Sequence, residues 1–237
     1  MNIADPYDGF SKVFDRVVSA PKYDKWEQWI KQVWKKHNFA PKSLLDLACG
    51  TGINSIKFAK ENIEVFGIDS SPSMLDEARK KSDKVIFLNG HFLNFTIPKR
   101  VDAAICLDFS TNYILRQNEF VEFLNRVYQS LNNGGIFIFD CKPTNSFVKK
   151  EKHLKEKDFT FDWVCNIENA PFVIIDIKIS LNNGSNFDER HIERGYSLEE
   201  LKKIVQCTKF DLLEVYDDCQ RKESNDKSEL IQFVLKK

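Results

Sequence analysis

The sequence has no excess of either charge, no long apolar run and no paired cysteine motif. Lys and Arg together number 35, as do Asp and Glu, so no net positive field attracts a nucleic-acid backbone or an anionic lipid surface. No stretch approaches the roughly 18 apolar residues of a membrane span, and the N-terminus lacks a basic region followed by an apolar one. We therefore expect a cytoplasmic protein with neither a nucleic-acid nor a membrane partner.

Metal-binding motifs are also missing. The six cysteines are scattered, with no CxxC spacing and no nearby pair of histidines, so the sequence indicates neither a zinc site nor a redox dithiol. We expect buried, reduced thiols and no metal ion. The sequence does not determine the oligomeric state.

Apolar strands alternate with helices between Ser43 and Asp140. Two segments with aromatic residues at helical spacing come before them and predict two helices separated by Pro21. The alternation predicts a parallel sheet with helices on both faces, which is the doubly wound arrangement.

The pattern changes after Asp140. Stretches rich in β-branched and aromatic residues, joined by turns, predict an antiparallel sheet of about three strands, and the lysine-rich residues 149–157 are expected to form a solvated helix or loop. A capped helix and two final strands then complete the first sheet. The predicted fold is α/β, with a doubly wound, mainly parallel seven-stranded sheet in residues 1–141 and 197–237 and an inserted antiparallel β-sheet lid in residues 142–196.

The stretch "LLDLACGTGINS" leads from the first strand through a bare turn into a helix. In doubly wound sheets, ligands bind beyond the carboxyl ends of the strands where the strand order reverses. Gly50 and Gly52 let the backbone approach a ligand closely, and the following helix offers free N–H groups. Asp69 ends the second strand, where an acid typically accepts hydrogen bonds from ribose hydroxyls. Together these features predict a nucleoside ligand.

Two details favour S-adenosylmethionine over a dinucleotide. A dinucleotide fingerprint requires GxGxxG, but Ser55 occupies the third glycine position. Asp46 adds a carboxylate within the first strand, where it would repel a pyrophosphate but tolerate an ammonium group.

Three motifs carry a resemblance to a known family: "LLDLACGTG", "VFGIDSSPSMLDEAR" and "LNNGGIFIFD". Through them the sequence resembles the small class I S-adenosylmethionine-dependent methyltransferases, whose fold is Rossmann-like. The resemblance extends to "YDGFSKVFD", "CLDFSTNYIL" and "DERHIERGYSLEEL", which are similar to a bacterial subgroup with an antiparallel lid. It covers most of the chain and implies S-adenosyl-L-methionine as the cofactor.

The resemblance also implies cofactor contacts. The residues that would hold the methionine part are Asp46, Ala48, Cys49, Gly50 and Gly52. Those that would hold the ribose are Asp69 and Ser70, and Met74 would cover one face of the adenine.

The adenine contact departs from the family pattern. Where the family has an acid after the third strand, this sequence has His91, so either a neutral imidazole nitrogen or the adjacent Phe92 backbone would bind the adenine. At the N-terminus, Tyr7, Tyr23 and Trp26 are either core residues or hydrogen-bond donors to the cofactor carboxylate.

The stretch "LDFSTNYIL", after the fourth strand, is expected to face the transferred methyl group. Its Leu107 and Asp108 are predicted to lie at the cofactor, and Asp108 is either a substrate acceptor or a turn cap. Asn112 and Tyr113 are candidates for orienting the methyl acceptor.

The lid stretch "DERHIERGY" supplies two further substrate candidates, His191 and Arg194, which match the subgroup's pattern. Half of the side chains on a strand face solvent, so a solvent-facing position is the alternative for each. His191 is also a candidate catalytic base.

The predicted function is methyl transfer from S-adenosylmethionine to a nitrogen or oxygen atom of a small-molecule acceptor. Catalysis would come chiefly from positioning, without a metal. The alternatives are a methyltransferase acting on tRNA or a peptide, a non-catalytic S-adenosylmethionine-binding protein and, more distantly, a dehydrogenase. The sequence does not identify the acceptor.

Overall fold

Two separate β-sheets organise the chain in the computed structural model, which describes residues 4–18, 20–220, 224–225 and 227–237. The strands of the larger sheet are β1 (Ser43–Leu47), β2 (Glu64–Asp69), β3 (Val85–Asn89), β4 (Val101–Cys106), β5 (Leu131–Cys141), β10 (Asp211–Asp217) and β11 (Ile231–Lys236). Their order across this seven-stranded sheet is β10-β11-β5-β4-β1-β2-β3.

The first five strands of this sheet are parallel, and β11 runs antiparallel to both β5 and β10. Every residue of β1 is buried, as expected for a parallel strand covered on both faces. The prediction of a doubly wound, mainly parallel seven-stranded sheet is thus confirmed. The strand order reverses between β1 and β4, so the turn after Leu47 lies at the switch point.

Helices cover both faces of the sheet. Their bounds are α1 (Phe14–Val17), α2 (Ala20–Lys36), α3 (Ile53–Ala59), α4 (Pro72–Lys81), α5 (Gln117–Ser130) and α6 (Leu198–Gln206). The apolar sides of α2, α3 and α4 pack in one core, and those of α5 and α6 pack in the core on the opposite face. The α6 helix begins with the predicted capping box between Ser197 and Glu200.

The second sheet lies between β5 and α6 and contains four strands, where about three were predicted. They are β6 (Lys150–Lys155), β7 (Phe159–Asn166), β8 (Phe172–Leu181) and β9 (Asn186–Arg194), each antiparallel to the next. The β6 strand corrects the prediction of a solvated helix or loop. Charged side chains suit an edge strand, because they oppose pairing with another chain. The predicted lid boundaries, residues 142–196, stay a prediction.

The N-terminal segment, residues 4–18, differs from the predicted first helix. It contains a 3₁₀ turn at Phe10–Lys12 and the single turn of α1. The backbone N–H groups of Tyr7, Gly9 and Phe10 donate to the Glu189 carboxylate, which holds the chain before these turns in a non-helical path. Pro21 lies in the first turn of α2 rather than between two helices, a position where its missing N–H leaves no hydrogen bond unmade.

All six thiols are free, and four of them are buried, whereas Cys207 is exposed and Cys219 is partly exposed. The expectation of buried thiols therefore fails at these two positions. Within the described ranges, no group of three or more His, Cys, Asp or Glu side chains could hold a metal ion. No helix in the described part of the chain is long and apolar enough to cross a membrane.

Candidate active site

The turn after β1 borders open space. Ala48, Gly50 and Gly52 all have positive φ angles, of 54°, 54° and 78°. A Cβ atom added to Gly50 would meet no atom within 4 Å, whereas one on Gly52 would lie 2.7 Å from Phe87 Cζ. The first glycine therefore leaves room for a ligand, and the second permits close packing against β3.

Two carboxylates lie beside this turn, near the carboxyl ends of β1 and β2. Asp69 accepts hydrogen bonds from the backbone N–H groups of Gly50 and Ser71, both at 2.8 Å. Asp46 accepts one from the Ser55 hydroxyl at 2.5 Å. Burial raises the pKa of Asp46 to about 7 and also raises the pKa of Asp69. A bound cation would therefore favour the charged form of Asp46.

A cavity of about 1010 Å³ extends from this turn to the second sheet. Its walls come from both sheets and from the N-terminal segment. The predicted cofactor residues that line it are Tyr7, Tyr23, Asp46, Ala48, Cys49, Gly50, Asp69, Ser70, Met74, His91, Phe92, Leu107 and Asp108. Tyr113 and His191, predicted on the substrate side, line the same cavity.

Four predicted site residues do not line the cavity, and three of them lie in the interior of the fold. Trp26 is only 1% exposed and packs in the core, and Gly52 packs against β3. Asn112 is fully buried, and its side-chain amide donates to the backbone carbonyls of Lys142 at 2.9 Å and Arg194 at 2.7 Å. Asn112 therefore joins a loop of the parallel sheet to β9.

Arg194, the fourth, points away from the cavity. It is three residues from His191 on β9, and an odd spacing places two strand residues on opposite faces. Its guanidinium donates to the Leu115 carbonyl at 3.1 Å and to Glu200 at 3.0 Å. These contacts indicate a structural role for Arg194.

Asp108 lies on a loop with two positive φ angles, 64° at Asp108 and 61° at Phe109. The backbone N–H groups of both residues donate to the buried carboxylate of Asp140, at 3.0 and 2.8 Å. The Asp108 side chain pairs with Lys22 and accepts a hydrogen bond from the Tyr23 hydroxyl at 2.7 Å. Both oxygens of the Asp108 side chain thus have a partner within the protein, and the loop is shaped by Asp140, which sequence reasoning missed.

A chain of hydrogen bonds runs from the N-terminal segment into β9. The Tyr7 and Tyr113 hydroxyl oxygens are 2.7 Å apart, and the Tyr113 hydroxyl lies 2.7 Å from Nδ1 of His191. The other ring nitrogen, Nε2, lies 3.0 Å from Oε2 of Glu189. Burial raises the pKa of both tyrosines. The hydroxyl groups are therefore neutral hydrogen-bonding groups at the cavity wall.

Glu193 is a cavity residue that sequence reasoning missed. It lies two residues beyond His191 on β9, so strand alternation alone places it on the same face. Burial raises its pKa to about 7, although the nearby Lys142 opposes the shift. Burial in turn lowers the pKa of Lys142, which also lines the cavity.

The adenine end of the predicted site has a specific donor arrangement. Nδ1 of His91 accepts a hydrogen bond from the Leu93 N–H at 3.4 Å, so the neutral ring carries its proton on Nε2. In that tautomer the imidazole offers the cavity a donor and no acceptor. The Phe92 N–H has no acceptor among the described residues, which makes it the better candidate for an adenine ring nitrogen.

Comparisons with known proteins agree with this architecture. Residues 44–135 match the model of a methyltransferase domain family. The chain is 30% identical over 243 residues to the putative methyltransferase YqeM of Bacillus subtilis (strain 168), covering 98% of this chain and 97% of that protein. The chain belongs to the class I S-adenosylmethionine-dependent methyltransferases. It is thus an S-adenosylmethionine-dependent enzyme.

Solved structures of methyltransferases share the whole fold. An S-adenosylmethionine-dependent methyltransferase from Clostridium acetobutylicum ATCC 824 superposes with a TM-score of 0.83 at 25% identity, covering 96% of this chain and 95% of that one. CalS10, an amino pentose methyltransferase from Micromonospora echinaspora, superposes with a TM-score of 0.74 at 18% identity, covering 100% of this chain and 98% of that one. At that identity the second match shows the fold alone.

The residues of this methyltransferase fit the cofactor of its family. The open space at Gly50 gives a ligand access to the backbone, and Asp46 provides a buried carboxylate that is not ion-paired with any described residue. A ligand with an ammonium group complements that carboxylate. Asp69 keeps free lone pairs for hydroxyl donors after accepting two backbone N–H groups.

Proposed function

We propose that this methyltransferase transfers a methyl group to the amine nitrogen of a small molecule. The observation that carries the proposal is the single cavity shared by the glycine turn and the Tyr113–His191 pair. A cofactor bound at the turn and an acceptor bound at the pair would lie in the same cavity. Catalysis by positioning requires this proximity.

The charges in the cavity favour an amine. Among the Asp, Glu, His, Lys and Arg residues that line it, the buried ones are Asp46, Asp69, His191 and Glu193. Asp46 and Asp69 lie at the cofactor turn, whereas Glu193 lies on the face of His191, where it would stabilise a cationic acceptor and the positive charge that develops on an attacking nitrogen. The lysines at the cavity, in contrast, are only partly buried or exposed. An oxygen acceptor would need stronger proton removal than an amine.

The proposed cofactor contacts follow the geometry of the turn. Asp46 and the backbone at Gly50 would hold the methionine part, Asp69 and Ser70 the ribose, and Met74 and the Phe92 N–H the adenine. Bound S-adenosylmethionine supplies an electrophilic methyl group whose C–S electron pair leaves on sulfur as a neutral thioether. Tyr113 would orient the amine nitrogen, and His191 would receive, through Tyr113, the proton that the methylated nitrogen releases.

The proposal is tested by incubating the purified protein with S-adenosylmethionine and a panel of small amines that includes amino sugars. Formation of S-adenosylhomocysteine should depend on an amine and should yield an N-methylated product by mass spectrometry. Tyr113→Phe should bind S-adenosylhomocysteine but turn over at least tenfold more slowly. Turnover with hydroxyl acceptors only would contradict the amine assignment, and so would tight cofactor binding without turnover on any amine of the panel.

A second candidate, methylation of RNA, draws on the lysines at the cavity edge. Lys150 and Lys152 of β6 and Lys142 all line the cavity, and such a group also suits an anionic part of a small acceptor. Unfractionated tRNA should therefore be assayed beside the amines. Methyl incorporation into tRNA that is lost in Lys150→Glu/Lys152→Glu would favour this candidate.

A further inference from the structure

We propose that Glu189 is a positioning residue that fixes the tautomer of His191 and simultaneously holds the N-terminal segment over the acceptor side of the cavity. The role of His191 as a proton acceptor rests on the function proposed above. The hydrogen bonds that define Glu189 are independent of the acceptor's identity. The buried Glu189 carboxylate would then have two effects. It would hold the N-terminal segment over the cavity, and it would keep His191 in the tautomer that can accept a proton.

Four donors converge on this carboxylate. Oε1 accepts from the N–H groups of Gly9 at 2.7 Å and Phe10 at 2.9 Å. Oε2 accepts from the N–H of Tyr7 at 2.8 Å and lies 3.0 Å from Nε2 of His191. Glu189 and His191 are each only 2% exposed. Every strong hydrogen-bonding position of Glu189 is thus occupied by a partner within the protein.

The three backbone N–H groups can only donate, so Glu189 acts purely as an acceptor. An ionised Glu189 carboxylate therefore requires a hydrogen on Nε2 of His191, and in the neutral ring Nδ1 then presents its lone pair. The Tyr113 hydroxyl, 2.7 Å from Nδ1, donates to that lone pair. Its oxygen stays free to accept from Tyr7 or from an incoming amine. Glu189 therefore determines the direction of the whole hydrogen-bond chain.

Proton transfer in the proposed reaction follows the same direction along the hydrogen-bond chain, from Tyr113 to His191. When the amine nitrogen forms its bond to the methyl carbon, the nitrogen becomes a methylated ammonium. It releases one proton to the Tyr113 oxygen, and Tyr113 passes its own hydroxyl proton to Nδ1 of His191. The product is a neutral amine and an imidazolium whose Nε2–H faces the Glu189 carboxylate. Buried charge on the ring is thereby paired.

The N-terminal segment is placed by the same strand. Ala4 pairs with Glu189 in a β-bridge, and its N–H donates to the Asp188 carbonyl at 2.8 Å. A Cβ on Gly9 would lie 2.2 Å from the Phe187 ring, so only glycine permits this approach. On the other side of the cavity, the Ser73 hydroxyl donates to Asp8 at 2.6 Å. The segment therefore spans both walls of the cavity.

The first test needs no acceptor. Nitrogen-15 NMR of protein labelled at its four histidines should show His191 as the Nε2–H tautomer in the pH range where the ring is neutral. The resonance is assigned by its absence in His191→Ala. A neutral His191 that carries its hydrogen on Nδ1 would overturn the proposal without affecting the assignment of methyl transfer.

The second test is Glu189→Gln. A carboxamide has one acceptor oxygen, so its NH₂ group must face either the Gly9 and Phe10 donors or the Tyr7 donor and His191. The second arrangement leaves fewer donors unpaired, because His191 can accept from the amide by changing to the Nδ1–H tautomer. That tautomer cannot accept from Tyr113. We expect the tautomer to switch, hydrogen exchange at the Tyr7 amide to accelerate at least tenfold, and kcat to fall at least tenfold.

Two further variants separate positioning from a purely structural role. Asp188→Asn makes the same chemical change at the next position of β9, on the opposite face, and should leave tautomer, exchange and kcat unchanged. Tyr113→Phe should lower kcat but retain the Nε2–H tautomer and the slow amide exchange. If a folded Glu189→Gln protein keeps the wild-type tautomer, Glu189 is not the residue that sets it. If that variant does not fold, the wild-type spectrum and Tyr113→Phe still decide.

Discussion

Gly50 offers a sharp test of the cofactor site, because the chain contains a matched control. Gly50 and Gly134 both have positive φ angles, 54° and 76°, and a Cβ atom on either would meet nothing within 4 Å. Only Gly50 lines the cavity. Gly50→Ala and Gly134→Ala therefore impose the same kind of backbone strain, and they differ in whether the added methyl group enters the ligand's space.

The strain of a left-handed alanine is about 1–2 kcal/mol. For a chain of this size that corresponds to a fall in Tm of roughly 2–8 °C in both variants. The affinity for S-adenosylhomocysteine should fall at least tenfold, about 1.4 kcal/mol, in Gly50→Ala and stay within about twofold in Gly134→Ala. Gly50→Val should abolish binding, since its larger side chain extends further into the cavity.

Isothermal titration calorimetry measures the affinity, and thermal unfolding monitored by circular dichroism measures the stability. Equal affinity in Gly50→Ala and the wild type would mean that the turn does not contact the cofactor. An equal loss in both variants would attribute the effect to propagated backbone strain. Either result would refute the steric reasoning.

Three other predictions concern individual side chains. Asp69→Asn should weaken S-adenosylhomocysteine binding about ten- to a hundredfold, because hydrogen bonds to a charged acceptor contribute roughly 1.5–3 kcal/mol. Calorimetry measures this affinity, and an unchanged value would exclude Asp69 from the site. Burial raises the pKa of Asp46 to about 7, above the roughly 3.9 of an unfolded aspartate, so the native state binds more protons between these values. The free energy of unfolding in urea should accordingly decrease as pH rises from about 4 to about 7, and Asp46→Asn should reduce that slope; an identical slope would contradict the assignment. His191→Ala should leave cofactor affinity within about threefold and lower kcat/KM tenfold or more. Arg194→Ala should lower the free energy of unfolding and leave kcat within about threefold. A loss of kcat in Arg194→Ala but not in His191→Ala would place the acceptor on the outer face of β9.

The parallel sheet and its glycine turn were predictable because their signals are local. The start of α4 is one example, since the Ser71 cap and the proline in the first turn specify it locally. The β6 strand was not predictable in the same way. Its lysines and glutamates have no local strand signal, and its conformation depends on pairing with β7.

The acceptor side shows how an available signal was left unused. His191 and Arg194 were both predicted to contact substrate, but residues three apart on a strand face opposite sides. Strand alternation places Glu189 and Glu193 on the face of His191, and both are buried there. The two-residue repeat of a β-strand, applied to "DERHIER", predicts that Glu189 and Glu193 share the face of His191 and that Arg194 does not.

The hydrogen bonds that hold the cavity walls were not predictable from sequence, for a common physical reason. Three walls of the cavity are backbone segments with positive φ, each held by a buried carboxylate from another part of the chain: Gly50 by Asp69, Asp108 and Phe109 by Asp140, and Tyr7 by Glu189. A left-handed non-glycine residue costs about 1–2 kcal/mol, and a hydrogen bond to a charged acceptor contributes roughly 1.5–3 kcal/mol, so Asp140 and Glu189 can offset the strain at the segments they hold. The partners are 19, 31 to 32 and 182 positions apart, so no local pattern joins them. The turns that shape the cavity are therefore specified by the tertiary fold, and removing any one of these carboxylates should affect its own wall first.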